Sequence, residues 1–203
     1  MKKQVLFYFI LFCHTFAYSQ ASQDMADLLA NRAKKFISDG SGNSLGLKFS
    51  VKYPSAFQSI EPRHPHVVAN LTNNTNCSYV VLVQKLASTP TDADKKMGCS
   101  SEVLKANIPK GSFYLTSQSG IKIDGEAACF VEYYLVRNIN SGSETNVFYF
   151  YNRNYSIYYK DYLITITCGV YAKDKSSSIA LFNSYKGFFA LVMNNFILLS
   201  KWS

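Results

Sequence analysis

The stretch from residue 125 to residue 171 constrains this 203-residue chain more than any other. It reads as three long strands, over residues 127–136, 147–158 and 162–171, joined by the polar turns Asn140-Ser141-Gly142-Ser143 and Lys160-Asp161. Val, Ile, Phe and Tyr crowd all three, a composition that suits a pleated, mostly buried surface. In the middle strand Phe148 and Phe150 point one way, while Val147, Tyr149, Tyr151, Tyr155 and Ile157 point the other. A strand apolar on both faces needs cover on both, so the meander is expected as the middle layer of a sandwich.

The rest of the chain supplies the cover. Ser22 caps an expected helix over residues 23–38, with Met25, Leu28, Leu29, Phe36 and Ile37 in its apolar stripe. Leu47, Phe49, Val51 and Tyr53 alternate with polar residues along a half-buried strand that Pro54 ends. Strands over 67–72 and 79–86 form a hairpin through Asn73-Asn74-Thr75-Asn76. Thr91 or Asp92 caps a helix over 93–106, and a strand over 113–123 turns through Asp124-Gly125 into the meander. A helix over 176–199 closes the chain, with Ile179, Phe182, Phe189, Val192, Met193, Phe196 and Ile197 on one face. The class is α+β, an antiparallel sheet sandwiched between helices.

Three stretches are expected. Residues 1–19 read as a signal peptide: Lys2 and Lys3 precede a short apolar run, and Ala17 and Ser19 suit cleavage before Gln20. The alternative, lipid attachment at Cys13, is disfavoured by the bulky Phe12 before it. Residues 20–44 are an N-terminal helix and linker, and 45–203 one domain. No further run is apolar enough to span a bilayer, so the mature protein is expected to be exported, periplasmic or secreted, without stable membrane insertion. The formal charge of +8 falls to +6 with loss of Lys2 and Lys3. The remaining basic residues are scattered, which argues against nucleic acid as a partner.

After cleavage Cys77, Cys99, Cys129 and Cys168 remain, an even count in an exported chain. In a plain meander Cys129 and Cys168 lie two strands apart, about 9–10 Å, too far for a disulfide. Cys77–Cys99 is the preferred bridge, and Cys168 reads as a buried small hydrophobe. Glu61, His64 and His66 are the only local gathering of metal-ligand types, without a clear fourth ligand, so no metal or other cofactor is expected. His64 and His66 are also the only histidines left after cleavage, and no Gly-x-Ser-x-Gly elbow is present. Glu126 and Glu132 read as surface residues of one strand. No catalytic residue is assigned, and the protein is read as a non-enzyme. The tyrosine surplus, fifteen in all, suggests a protein-contact surface at the strand ends, Tyr155, Tyr158, Tyr159 and Tyr162.

The run Gly46-Leu47-Lys48-Phe49-Ser50-Val51-Lys52-Tyr53-Pro54-Ser55-Ala56-Phe57 resembles the opening signature of the PsbP-like proteins, a strand followed by Tyr-Pro, Ser and an aromatic residue. Glu61, Pro65 and Val67 follow as in bacterial exported members, and Ile121-Lys122-Ile123-Asp124-Gly125 matches their step into the central meander. Phe57 stands where many relatives have Trp. The resemblance implies a PsbP-like α/β/α sandwich and a scaffold that binds another protein. Two roles are compatible with it: an accessory protein of the bacterial cell envelope, or a periplasmic immunity-type protein neutralising a delivered toxin. A small-ligand or metal binder is the remaining alternative.

Overall fold

The computed structural model describes residues 20–30, 32–141 and 144–202, so the expected signal peptide, Cys13 and the middle of the Asn140–Ser143 turn lie outside the described residues. A helix at residues 20–29 (α1) leads to β1 (Lys34–Asp39), β2 (Lys48–Tyr53), β3 (Gln58–Ile60), β4 (Val67–Thr72) and β5 (Cys77–Lys85). Two short helices follow, α2 (Asp92–Gly98) and α3 (Ser101–Ala106), then β6 (Phe113–Ile123), β7 (Glu126–Ser141), β8 (Glu144–Tyr159), β9 (Tyr162–Ala172) and α4 (Lys175–Asn194). The main sheet has seven strands in the order β3-β4-β5-β9-β8-β7-β6, with every pair antiparallel. β1 and β2 form a separate two-stranded ribbon.

The meander is where the sequence places it, but β7 and β8 run five and three residues further towards their hairpin than expected, so Asn140 and Ser141 are strand and not turn. Asp124 and Gly125 both take positive φ, 48° and 81°, the two-residue turn that matches strand twist. One face of the sheet holds the main core. There Tyr79, Val81, Ile157, Ile164, Ile166 and Cys168 meet Tyr185, Phe188, Phe189 and Val192 of α4. The β1–β2 ribbon extends that cover through Phe49, stacked on Phe196 at 5.2 Å. The other face is covered over part of its area only. Cys99 and Leu104 of the α2–α3 pair pack on Cys129, Val131 and Tyr133 of β7. The alternate residues of β8 on this side are Phe148, Phe150, Asn152, Asn154, Ser156 and Tyr158, all half-buried. Its polar middle is what lets the strand stand partly wet.

Three expected helices are corrected; the closing one ends at Asn194, not residue 199, so Phe196 and Ile197 lie past it and Ile197 bridges to Ser50 of β2. The N-terminal one stops at residue 29, and Lys34–Asp39 is a strand paired with β2 in place of a helical last turn. Its buried face is Ala21, Asp24, Asp27 and Leu28, while Leu29 is 72% exposed. The two carboxylates anchor it: Asp24 accepts from the Tyr185 hydroxyl at 2.8 Å, and Asp27 from the Ser55 hydroxyl at 2.5 Å. That contact, with Phe57 buried between Tyr79 and Phe188, gives the Tyr-Pro-Ser-x-aromatic run a structural reason. The expected helix over 93–106 breaks at Cys99, where Ser100 caps a fresh helix by accepting from the Val103 N–H.

The cysteine pairing is also corrected. The disulfide joins Cys99 to Cys129, and Cys77 and Cys168 are buried thiols. Cys77 points into the α4 side and Cys99 lies on the α2–α3 side, so the sheet itself separates the pair that spacing favoured. Burial raises the pKa of both free thiols.

Candidate functional site

The tyrosines expected at an open surface are turned inward. Tyr155 and Tyr159 are 4% and 5% exposed. Burial lifts the Tyr155 hydroxyl to a pKa of about 12. Tyr158 is half-buried with its hydroxyl against Gly98 at the end of α2, and Tyr162 donates to the Leu45 carbonyl at 2.9 Å. Aromatic strand residues are core before they are interface: Tyr155 and Tyr159 belong to the main core and Tyr162 packs against its edge. Glu61, His64 and His66 are exposed on the β3–β4 connection. Among the described residues no three His, Cys, Asp or Glu side chains gather where a metal ion could sit.

Two features stand out instead, both at the other end of the meander. The first is an arm. β6 begins at Phe113 opposite Tyr134, and β9 ends at Ala172 opposite Tyr149. Past these rungs β7 and β8 pair only with each other, from Arg137↔Phe148 to Ser141↔Glu144. Opposite residues of an antiparallel pair share a face. One face of the arm therefore carries Val147, 40% exposed, with Val136, 41% exposed, at its base opposite Tyr149, and the other carries Ile139, 44% exposed, and half-buried Phe148. Phe148, Phe150 and Tyr171 pack on one another at its base, with Lys173 above Phe148. A two-stranded ribbon that exposes apolar side chains on both faces is marginal alone in water.

The second is a groove of about 390 Å³ where α4, seated over β8 and β9, leaves β7 and β6 uncovered. Its wall is a ladder of rings. Phe113 stacks on Tyr134 at 4.7 Å, Tyr134 on Tyr151 at 5.1 Å, and Tyr151 meets Phe182 at 5.7 Å. At its floor Glu132 is 3% exposed, which corrects its reading as a surface residue. Arg153, the residue opposite on β8, donates to it through Nε at 2.9 Å and through Nη2. Arg153 also donates to the Tyr155 hydroxyl at 3.1 Å and lies over Phe130. Lys186 of α4 reaches the second Glu132 oxygen at 3.4 Å. Lys175 stands at the rim, 5.0 Å above the Tyr134 ring.

The described residues thus form a partly capped antiparallel sheet with a projecting two-stranded arm and a ring-walled groove. No protein-family model matches the sequence, and no curated protein matches it. Solved structures do. The Ran-binding protein Mog1p of Saccharomyces cerevisiae is similar at 11% identity and a TM-score of 0.51, over 82% of this chain and 95% of that one. LpqN of Mycobacterium tuberculosis, involved in cell envelope biogenesis, is similar at 12% identity and a TM-score of 0.45, over 84% of this chain and 93% of that one. A crystal structure from Bacteroides thetaiotaomicron shares 14% identity and a TM-score of 0.42 over 81% of this chain, which spans 48% of that chain. The fold is thus α+β with Mog1/PsbP-like structural neighbours, and at these identities the likeness is one of fold. Among the described residues no helix is long and apolar enough to cross a membrane.

Proposed function

We propose that this protein is an exported, non-enzymatic accessory protein of the cell envelope, a PsbP-like scaffold that docks another protein on the β7–β8 arm. The observation that carries this reading is the arm itself: five rungs beyond the last neighbouring strand, with Ile139 and Val147 exposed on them and Val136 exposed at their base. A ribbon of that kind gains stability when a second surface covers it. The Cys99–Cys129 disulfide supports export, since such bridges persist in oxidising compartments. The envelope role of LpqN is in keeping with the same address.

The test is site-specific photo-crosslinking in intact envelopes. A photoreactive residue at Ile139 or Val147 is expected to trap one discrete protein adduct, and Val136→Ser with Ile139→Ser to abolish it without changing the melting temperature. Thr75, in the distant β4–β5 turn, is the control position. Arm positions that crosslink no more than Thr75 would overturn the reading.

A further inference from the structure

We propose that the groove between α4 and the β6–β8 side of the sheet binds a small, flat, ring-bearing carboxylate. This goes beyond protein docking on the arm and does not depend on it. The volume, about 390 Å³, lies within the range of small-molecule sites. The wall is aromatic, and Lys175, Lys186, Asn183 and Glu132 add polar groups along the same groove.

The charges set the sign of the ligand. Glu132 is paired twice, with Arg153 and Lys186, and among the described residues Lys175 is in no ion pair. Three cations against one carboxylate leave the groove positive, so an anion entering it meets attraction from Lys175 and the 40%-exposed Lys186. Each of these ammonium groups lies over a ring of the wall, Lys175 over Tyr134 at 5.0 Å and Lys186 over Phe182 at 5.2 Å. A carboxylate held by Lys175 at the rim therefore lays its body along the Tyr134–Tyr151–Phe182 ladder, where a flat ring covers exposed apolar surface. Arg153 points its fork at Glu132 and is not among the lining residues, so the groove offers two point charges and no bidentate clamp for a polyphosphate.

Calorimetric titration of the chain beginning at Gln20 tests this, with 1-naphthaleneacetate as the probe and neutral 1-naphthaleneethanol as its control. The acid is expected to bind one-to-one and about tenfold or more tighter than the alcohol. Lys175→Gln, a surface change, is expected to weaken the acid about tenfold and leave the alcohol unchanged. Asn183→Trp, which fills the mouth, is expected to abolish both. Ile139→Ser on the arm is expected to leave both intact, which separates this site from protein docking. Absence of saturable binding, equal binding of the two probes, or acid binding that survives Asn183→Trp would each overturn the proposal.

Discussion

Reducing the Cys99–Cys129 disulfide is expected to cost about 3.6 kcal/mol of stability. The bridge spans 30 residues of sequence, and closing a loop of that length removes roughly 12 cal/mol/K of entropy from the unfolded chain, which gives that figure at 25 °C. For a chain of this size it corresponds to a fall of about 7–14 °C in melting temperature. The loss also has a place in the structure. α2 and α3 are seven and six residues long, far below the length at which a helix stands alone. α2 buries no residue and α3 buries Leu104, so the bridge is their principal tie to β7. Urea unfolding of oxidised and reduced protein gives the total, and amide hydrogen exchange shows where protection is lost. The oxidised and reduced forms keep the same side chains, so no cavity confuses the comparison. A difference below about 1 kcal/mol, with the amides of α2 and α3 still protected after reduction, would refute the loop-closure argument.

Glu132→Gln leaves Arg153, 11% exposed, without its full counter-charge and is expected to destabilise by about 3–5 kcal/mol, whereas Glu132→Met with Arg153→Met is expected to be near neutral; a chemical-denaturation cycle measures both. Cys77 and Cys168 are expected to resist a thiol reagent in the native chain beginning at Gln20 and to react as two thiols once it is unfolded without reductant. Burial raises the Asp24 pKa above its usual 3.8, so the native state holds that proton longer than the unfolded one. Its contribution to stability therefore falls as pH rises from about 3.8 through the raised native value, and Asp24→Asn is expected to remove that fall, read as the difference between the two melting-temperature–pH curves.

The fold was legible where a local rule and the tertiary demand agree. The Asp124-Gly125 turn and the crowding of Val, Ile and Tyr in β8 and β9 each point to one structure, and the sheet has it, whereas the expected alternation of β2 fails at Ser50, which is fully buried. They diverge in the N-terminal segment. Asp24 and Asp27 look like solvent-facing residues of a helical first turn, yet they face the core because Tyr185 and Ser55 offer them hydroxyl donors more than twenty residues away. Lys34–Asp39 keeps a plausible helical spacing but is held as a strand by pairing with β2, a partner no local window contains.

The groove was hidden for a related reason, and its one sequence signal turns on register. Glu132 alone on β7 reads as a polar position between apolar neighbours, which is how an outward-facing residue looks. What makes it a buried charge is Arg153 directly opposite, and that pairing is fixed by Ser141 facing Glu144 at the tip of the hairpin. Taking the turn as Asn140–Ser143 shifts the register by two residues and sets Tyr151 opposite Glu132. In the observed register an acid and a base meet on the one face that α4 borders, with Lys186 approaching from the helix. The same register aligns Tyr134 with Tyr151, so the aromatic wall and the ion pair follow from a single pairing. A change that slips this hairpin would dismantle both together, whereas one that only strips the arm's outer rungs leaves the groove in place. That separation is why the two binding surfaces can be tested one at a time in the same protein.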